Sequence, residues 1–220
     1  MEEVINGIDL TLNTHPSLFS PGAPDKGTLA MLSLAEIRKG DKVLDLGCGC
    51  GIVGIYAAKL IGAENVVMTD KSETAAEYAK INAELNGAGE IKICCGDGYE
   101  NVSDNDFTII LSNPPYHTDF SVAKAFIEGG YRHLLPGGRM IMVTKRMDWY
   151  KNKLTSVFGG VKVTERDGYY VFTAEKRVRS TNFKTKEKNG LSKKLAKKYG
   201  KKINFSKLSL KYSKKITKNY

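Results

Sequence analysis

An α/β domain built around a mostly parallel sheet is the architecture that the sequence predicts. Short apolar runs typical of buried strands alternate with amphipathic stretches of helical length between residues 42 and 158. A glycine-rich turn follows the first of these strands. Two later runs of alternating apolar residues are joined through Asp167-Gly168, which is typical of a tight hairpin. We therefore expect a seven-stranded sheet with an antiparallel C-terminal hairpin and helices on both faces.

The individual elements follow from the spacing of apolar residues and from turn-forming residues between them. Strands are predicted over residues 42–46, 66–68, 91–93, 107–111, 140–144, 161–165 and 169–174. Helices are predicted over residues 52–60, 72–85, 121–135 and 149–158. Ser72 is a suitable N-cap for the second helix, and Pro136-Gly137-Gly138 is expected to stop the third.

The two ends of the chain are expected to differ from this regular body. Residues 1–34 are predicted to form an N-terminal cap segment, with a turn at 17–22 and then a helix through Leu29, Leu32 and Ile37. Together with the sheet this makes one domain over residues 1–177. Residues 178–220 contain few apolar side chains, so a flexible tail is expected there.

The charge of the chain is concentrated in that tail. The 220 residues contain 34 lysines and arginines and 24 acidic residues, which gives a net charge of +10. Seventeen of the basic residues and only one acidic residue lie between residues 176 and 220, so the preceding residues are net acidic. Such asymmetry is typical of a nucleic-acid-binding extension, and interspersed tyrosines are suited to stacking on unpaired bases. The alternative is a solvated end that only aids solubility.

Other features disfavour metal binding, export and membrane insertion. The four cysteines, Cys48, Cys50, Cys94 and Cys95, form no C-x-x-C pair, so we expect reduced thiols and no metal site. No apolar run is long enough to cross a bilayer, and the acidic N-terminus lacks the layout of a signal peptide. A cytoplasmic protein is therefore expected.

The segment Asp45-Leu46-Gly47-Cys48-Gly49-Cys50-Gly51, at the end of the first strand, is a candidate cofactor site. Its alternating glycines let the backbone approach a ligand closely and open a helix N-terminus towards it. Gly49, Gly51 and Gly54 also fit the G-x-G-x-x-G spacing of dinucleotide-binding folds. However, a carboxylate at Asp45 disfavours a pyrophosphate and suits a cationic ligand, such as the sulfonium and amine of S-adenosylmethionine.

Two further aspartates follow the next two strands. Asp70 comes nineteen residues after Gly51, where a carboxylate can accept hydrogen bonds from ribose hydroxyls. Asp97 lies in Gly96-Asp97-Gly98 and is a candidate partner for an adenine amino group, although an aspartate in such a position also serves as a simple turn residue.

The fourth strand is followed by Asn113-Pro114-Pro115-Tyr116, which predicts the reaction. Two consecutive prolines remove two backbone donors and hold the chain extended. The Asn113 side-chain oxygen and the Pro114 carbonyl can then each accept a hydrogen from one NH₂ group, while Tyr116 can stack on a planar substrate. This grip aims the nitrogen lone pair at a methyl donor, so catalysis is expected to depend mainly on positioning.

These motifs in this order resemble the small-domain (MTS) group of class I S-adenosylmethionine-dependent methyltransferases, which includes the guanine-N2 methyltransferases of small-subunit rRNA. The stretches Asp25-Lys26-Gly27-Thr28, 133–138, 143–146 and 168–171 extend the resemblance to about seven-tenths of the chain. It implies a Rossmann-like fold, S-adenosylmethionine as the cofactor, and RNA as the partner. It also implies a set of cofactor-binding residues, namely Asp45, Gly47, Cys48, Gly49, Gly51, Asp70, Lys71, Asp97, Gly98 and Asn113.

The resemblance leaves the methylated group open. Guanine N2 of small-subunit rRNA is the expected target, with Asn113, Pro114, Pro115 and Tyr116 as the catalytic residues. Adenine-N6 methyltransferases, which would act on tRNA or rRNA, and protein-glutamine N5 methyltransferases share the Asn-Pro-Pro-Tyr motif and remain alternatives, as does a non-catalytic RNA-binding protein with the same fold. His117 is more simply a surface residue, whereas Lys145 and Arg146 are either phosphate contacts or solvated charges.

Overall fold

The structure is a computed structural model that describes residues 1–16, 18, 24–115 and 120–177. The predicted tail at 178–220, Tyr116, His117 and most of the predicted turn at 17–22 lie outside the described residues. The strands are β1 Glu2–Ile5, β2 Ile8–Thr11, β3 Val43–Leu46, β4 Val66–Asp70, β5 Lys92–Cys95, β6 Phe107–Ser112, β7 Leu134–Thr144, β8 Lys162–Arg166 and β9 Tyr169–Glu175. The helices are α1 Lys26–Leu32, α2 Ile52–Ile61, α3 Glu73–Leu85, α4 Phe120–His133 and α5 Met147–Phe158, with a short 3₁₀ turn at Ala63–Asn65.

Seven of these strands form one sheet in the order β5-β4-β3-β6-β7-β9-β8. The five strands from β5 to β7 run parallel, and the β8–β9 hairpin adds the antiparallel edge. The hairpin turn places Asp167 at φ 51° and Gly168 at φ 76°, the left-handed backbone that a two-residue turn of this kind needs. The predicted α/β fold class, strand number and hairpin are confirmed.

Helices cover both faces of the sheet, because residues along each central strand point alternately to the two sides. Val43, Ile109 and Ile141 pack on the side of α1, α2 and α3. Leu44 and Ile110 pack on the opposite side, against α4 and α5. Within the described residues, no helix combines the length and apolarity needed to cross a membrane.

The N-terminal segment contains a β-hairpin that we did not predict. Strands β1 and β2 pair antiparallel through Asn6 and Gly7, both of which have positive φ. The chain after β2 is then fixed by Asn82 of α3 and by its C-cap Asn86, since Asn86 exchanges two hydrogen bonds with the backbone of Thr11 and Asn82 does the same with Asn13. Asn82 Nδ2 also donates to the Cys50 carbonyl, so it ties the N-terminal segment to the glycine-rich loop.

Helix α1 is shorter than predicted. It begins after its N-cap Asp25 and ends at Leu32, so the expectation that it continues through Ile37 is wrong. The reason is local, because the Ser33 hydroxyl donates to the Ala30 carbonyl at 2.8 Å and the Ser33 N–H donates to Leu29 O, which closes the last turn.

Helix α4 also ends earlier than predicted, at His133, and β7 begins at Leu134 rather than at Met140. Leu134 pairs with Phe107 of β6, and a register shift follows before the regular pairing of Ile109 with Arg139. In addition, Lys176 Nζ donates to the Leu134 carbonyl at 2.6 Å. The two leucines that the apolar pattern assigned to the helix are therefore drawn into the sheet by strand pairing.

Candidate functional site

A cavity of about 270 Å³ opens at the carboxyl ends of β3, β4 and β6. Strands β3 and β6 are neighbours in the sheet, but the chain proceeds from β3 towards one edge and from β6 towards the other. Ligands of open α/β sheets bind at such a switch point. Because Asp45 pairs with Leu111, two residues before Asn113, the glycine motif and the Asn-Pro-Pro motif enter the same cavity.

The glycine-rich loop adopts a backbone that residues with a Cβ rarely accept. Gly47, Gly49 and Gly51 have φ values of 75°, 55° and 88°. The loop is held to β4, because the Thr69 carbonyl accepts from both Gly47 N and Cys48 N. Gly51 is the N-cap of α2, and a Cβ there would come within 3.2 Å of Met68 Sδ. Its lack of a side chain is therefore explained by its left-handed backbone and by its packing against Met68.

Asp45 is 2% exposed and lines the cavity. Its Oδ2 accepts the Gly54 N–H at 2.8 Å. The pKa of this carboxyl is raised to about 7, mainly by burial, with a smaller rise from the nearby Asp70 carboxylate and an opposing effect of the Gly54 hydrogen bond. A cation placed beside Asp45 would favour its charged form, so the local chemistry suits a positively charged ligand.

Asp70 and Asp97 lie at the ends of the next two strands and also line the cavity. Asp70 Oδ2 accepts the Gly49 N–H at 2.9 Å, and its Oδ1 accepts the Ser72 N–H at the same distance. These bonds fix the carboxylate between the glycine-rich loop and the start of α3. Each oxygen keeps acceptor capacity for a ligand hydroxyl.

Asn113 lines the cavity directly after β6, and its amide orientation is defined by its neighbours. Its Nδ2 donates to Asp25 Oδ2 at 2.8 Å and to Thr28 Oγ1 at 3.0 Å. Among the described residues, its Oδ1 is the buried side-chain oxygen for which no hydrogen-bond donor is found. An unpaired buried acceptor costs about 1–3 kcal/mol, and such atoms are characteristic of groups that bind a ligand.

Cys48 and Cys50 line the same cavity. Burial raises the pKa of both thiols, and the nearby Asp45 carboxylate adds to the rise. Both therefore remain protonated near neutral pH. Since the thiolate is the nucleophilic form of cysteine, neither side chain competes for an electrophilic ligand in the cavity.

The structure brings most of the predicted site residues to this cavity. Those that line it are Asp45, Gly47, Cys48, Gly49, Asp70, Lys71, Asp97, Gly98, Asn113 and Pro115. Gly51 and Pro114 are buried but are not among the lining residues, and Tyr116 lies outside the described part of the chain. The individual roles of these residues stay predictions.

The sequence interpretation did not identify two pairs of residues that line the cavity. Asp25 and Thr28 reach the cavity from α1, and Val122 and Phe126 reach it from α4. The i, i+4 spacing of Val122 and Phe126 is an ordinary helix-face signal. Asp25 has the position of an N-cap three residues before Thr28, and this signal was available in the sequence.

Two exposed cations follow the carboxyl end of β7, which runs parallel to β6 and so ends at the same edge of the sheet. Lys145 Nζ lies 4.9 Å from the centre of the Tyr169 ring, and the Arg146 guanidinium lies 5.0 Å from the centre of the Phe120 ring. Phe120 in turn stacks on Trp149 with ring centres 4.3 Å apart. Aromatic rings thus hold both cations at the edge of the sheet where the candidate site opens.

Comparison with known proteins identifies relatives of most of the described body. A family model described as "Methyltransferase small domain" matches residues 9–173. The chain is 35% identical over 159 residues to the ribosomal RNA small subunit methyltransferase C of Hahella chejuensis, covering 70% of this chain and 46% of that protein. It is 32% identical over 171 residues to the ribosomal RNA large subunit methyltransferase G of Pseudoalteromonas translucida, covering 72% and 44%. The chain thus spans about half the length of these relatives.

A solved structure shares the fold. The 16S rRNA N2 G1207 methyltransferase of Thermus thermophilus, in complex with AdoMet and guanosine, superposes with a TM-score of 0.73 at 28% sequence identity. The match covers 80% of this chain and 50% of that one.

Proposed function

Because this chain belongs to the methyltransferase small domain family, we propose that it transfers a methyl group from S-adenosylmethionine to an exocyclic amino group of a base in ribosomal RNA. The observation that carries this proposal is the shared cavity, which is lined by Asp45, with its buried carboxyl, and by Asn113, with its unpaired side-chain oxygen. The first suits a cationic cofactor, and the second suits an N–H donor on the substrate.

The residues around the cavity fit S-adenosylmethionine. Asp45 and the backbone of Gly47 and Gly49 would hold its methionine end, Asp70 its ribose and Asp97 its adenine. The argument for Asp45 is electrostatic, since a buried carboxyl with a pKa of about 7 gains its charge when a cation binds beside it. The bound cofactor supplies an electrophilic methyl group on a sulfonium.

The Asn-Pro-Pro segment would position the acceptor amine. Asn113 Oδ1 accepts one N–H of the substrate, and we expect the Pro114 carbonyl to accept the other. With both hydrogens held, the nitrogen lone pair is free to point at the methyl group. The hydrogen that the nitrogen loses after transfer is already hydrogen-bonded to one of the two acceptors. Tyr116 completes the predicted set as a stacking platform for the base. Such positioning is worth several kcal/mol of the barrier.

Guanine N2 of small-subunit rRNA is the target that we propose. It is favoured by the small-subunit relative and by the Thermus thermophilus protein, which is described as an N2 methyltransferase with bound guanosine. The target base is expected to be unpaired or flipped, because an amine inside a base stack cannot reach the cofactor. A ribosomal substrate also places the proposed reaction in the cytoplasm.

The exposed cations beside the site are proposed to contact the RNA backbone. Lys145 and Arg146 lie at the carboxyl edge of the sheet within a body that is net acidic. Their positive charges make this part of the edge suited to binding phosphate. The basic tail is proposed to add non-specific affinity.

Transfer of labelled methyl from S-adenosylmethionine to isolated ribosomal subunits, total tRNA and total protein tests the proposal. Nucleoside analysis of the labelled fraction identifies the product. N2-methylguanosine from small-subunit rRNA is the expected result. N6-methyladenosine or label in protein would overturn the assigned target, and absence of transfer to all three would overturn the enzyme assignment. Asn113→Ala serves as the matched impaired variant, with an expected loss of about 10²-fold in rate.

A further inference from the structure

The side chain of Asn113 is held by a small polar cluster at the start of α1. Asp25 Oδ2 accepts two hydrogen bonds, one from Asn113 Nδ2 at 2.8 Å and one from the Thr28 N–H at 3.1 Å, and the second of these caps the first turn of α1. Thr28 Oγ1 accepts a second bond from Asn113 Nδ2 at 3.0 Å. Both residues line the cavity, and sequence reasoning assigned neither of them a role.

The chemistry of Asp25 allows only one orientation of the Asn113 amide. A carboxylate accepts hydrogen bonds and donates none. If the amide turned by half a rotation, its Oδ1 would face Asp25 Oδ2 at the distance now occupied by a hydrogen bond, and two acceptors would repel each other. The contact therefore fixes Nδ2 towards α1, so that Oδ1 is the atom left to accept a hydrogen.

We propose that Asp25 is a positioning residue for methyl transfer, acting through Asn113 by holding its amide with the oxygen available to the substrate amine. This inference rests on the proposed function. It extends the site beyond the motif after β6, because a residue of the N-terminal segment then helps to select the substrate. A site that presents Oδ1 selects a substrate N–H, whereas a freely turning amide would also present Nδ2, which donates to a substrate carbonyl.

The packing around Asp25 keeps this contact in place. The Tyr169 hydroxyl donates to Asp25 Oδ1 at 3.4 Å from β9. Gly27 leaves the room that both groups need, because a Cβ at this position would lie 2.8 Å from Asp25 Oδ2 and from the Tyr169 ring. Asp25 is thus fixed from α1, β6 and β9, three elements that are distant in sequence.

A double-mutant cycle tests whether Asp25 acts through Asn113. Single-turnover methyl transfer is measured with excess enzyme for the full chain, Asp25→Ala, Asn113→Ala and the double variant. Asp25→Ala is expected to lower the transfer rate about tenfold to 10²-fold, with the dissociation constant for S-adenosylmethionine unchanged. The double variant is expected to be no slower than Asn113→Ala alone, since the orientation of an absent amide has no effect.

Two further variants separate positioning from folding. Asp25→Asn retains an oxygen that can accept from both Asn113 Nδ2 and the Thr28 N–H, so most of the rate is expected to return. Asp41→Ala removes another half-buried aspartate, which accepts from Arg38 N and Thr108 Oγ1 at the opposite end of the sheet, and is expected to leave transfer unchanged.

The outcomes separate this inference from the proposed function. The positioning role would be overturned if the rate losses of Asp25→Ala and Asn113→Ala multiplied in the double variant. It would also be overturned if Asp25→Asn lost as much rate as Asp25→Ala. In both cases the proposed methyl transfer itself would stand. An unmodified chain that transfers no methyl group would instead remove the proposed function. A wild-type rate in Asp25→Ala would also contradict the inference.

Discussion

In the ligand-free protein, a charged Asp45 carboxylate lowers the free energy of unfolding, and a bound cationic ligand would offset this loss. Its folded pKa of about 7 lies above its ordinary value of 3.8, so the folded chain holds this proton more tightly than the unfolded chain does. The contribution of this group to the free energy of unfolding therefore falls as the pH rises from about 4 to about 7 and stays low above that. Charge at Asp45 is thus available near neutral pH but costs stability when no ligand is bound.

We expect Asp45→Asn to separate binding from stability. The asparagine can still accept the Gly54 N–H but carries no charge, so affinity for S-adenosylmethionine should fall by about 10–100-fold at pH 8. Thermal unfolding of the ligand-free variant at pH 8 should occur at the same or a higher temperature than in the wild type, because a buried charge has been removed. Calorimetric titration and differential scanning calorimetry measure the two quantities.

The pH dependence of binding provides the control for this prediction. Below pH 7 the wild-type dissociation constant should rise about tenfold per pH unit, because Asp45 must first lose its proton. The profile of Asp45→Asn should be flat over the same range. The same slope in both proteins would show that another group controls binding.

At the residue scale, the sequence predicted which residues line the cavity better than it predicted the contacts between them. Asp45, Asp70, Asp97 and Asn113 were all recognised as candidates from their positions after strands, and all of them line one cavity. The contact between Asp25 and Asn113 could not be predicted in this way. It joins residues 88 positions apart, and only the packing of α1 over the end of β6 brings them together.

At the scale of elements, helix α4 contains a glycine, Gly129, that leaves room for the neighbouring Tyr99 ring. A Cβ at Gly129 would lie 2.3 Å from Tyr99 Cε2. Tyr99 cannot readily move, because its hydroxyl donates to the Phe126 carbonyl and its ring stacks on His133. The ring thus anchors the loop after β5, which contains Asp97 and Gly98, against α4.

Gly129→Ala should therefore destabilise the protein although alanine is the better helix former. We expect the free energy of unfolding to fall by about 1–3 kcal/mol, as for other overpacked interiors. Gly89→Ala is the matched control, because a Cβ there makes only an ordinary contact of 3.4 Å with Glu84 and its change should be neutral or slightly stabilising. Urea denaturation measures both, and equal stability of the two variants would contradict the account.

The turn between β7 and α5 carries the prediction for RNA contact. The double variant Lys145→Ala and Arg146→Ala should bind RNA more weakly and with a shallower salt dependence, since two phosphate contacts are lost. Affinity for S-adenosylmethionine should not change. Filter binding at several salt concentrations measures the first effect and calorimetry the second. An unchanged salt slope would mean that these cations are solvated charges.

The elements themselves were predicted where the pattern is local and strong. The parallel strands, the closing hairpin and helices α2 to α5 follow from apolar spacing and from turn residues such as Asp167 and Gly168. The β1–β2 hairpin was missed although Asn6-Gly7 is a strong turn signal, since the strands beside it are only four residues long. The end of α1 and the start of β7 are set by side-chain capping and by strand pairing, which periodicity does not encode.

At the scale of the whole molecule, the net charge of the body leaves RNA affinity to be explained. The basic residues are concentrated from residue 176 onward, whereas the preceding residues carry more acids than bases. The chain also spans only about half the length of its rRNA-modifying relatives. We propose that the C-terminal tail supplies non-specific affinity to a catalytic body that otherwise repels phosphate.

Removal of residues 178–220 should test that division of labour. RNA affinity should fall and the salt slope should flatten. If the tail neutralises about six phosphates, the intact chain should lose about 10³-fold in affinity between 50 and 200 mM salt, and the shortened chain far less. Binding of S-adenosylmethionine should persist. Equal RNA affinity and equal salt slopes for the two chains would leave the tail with a role in solubility alone.

The most direct test of the account is the distance between Asn113 Oδ1 and the acceptor nitrogen in a crystal structure with S-adenosylhomocysteine and guanosine. We predict that the guanosine N2 atom lies within hydrogen-bond distance of Asn113 Oδ1, with Asp25 still bound to Asn113 Nδ2 and the cofactor sulfur facing the same nitrogen. A guanosine amine bound away from Asn113, or a cofactor bound away from Asp45, would contradict the shared cavity on which the account depends.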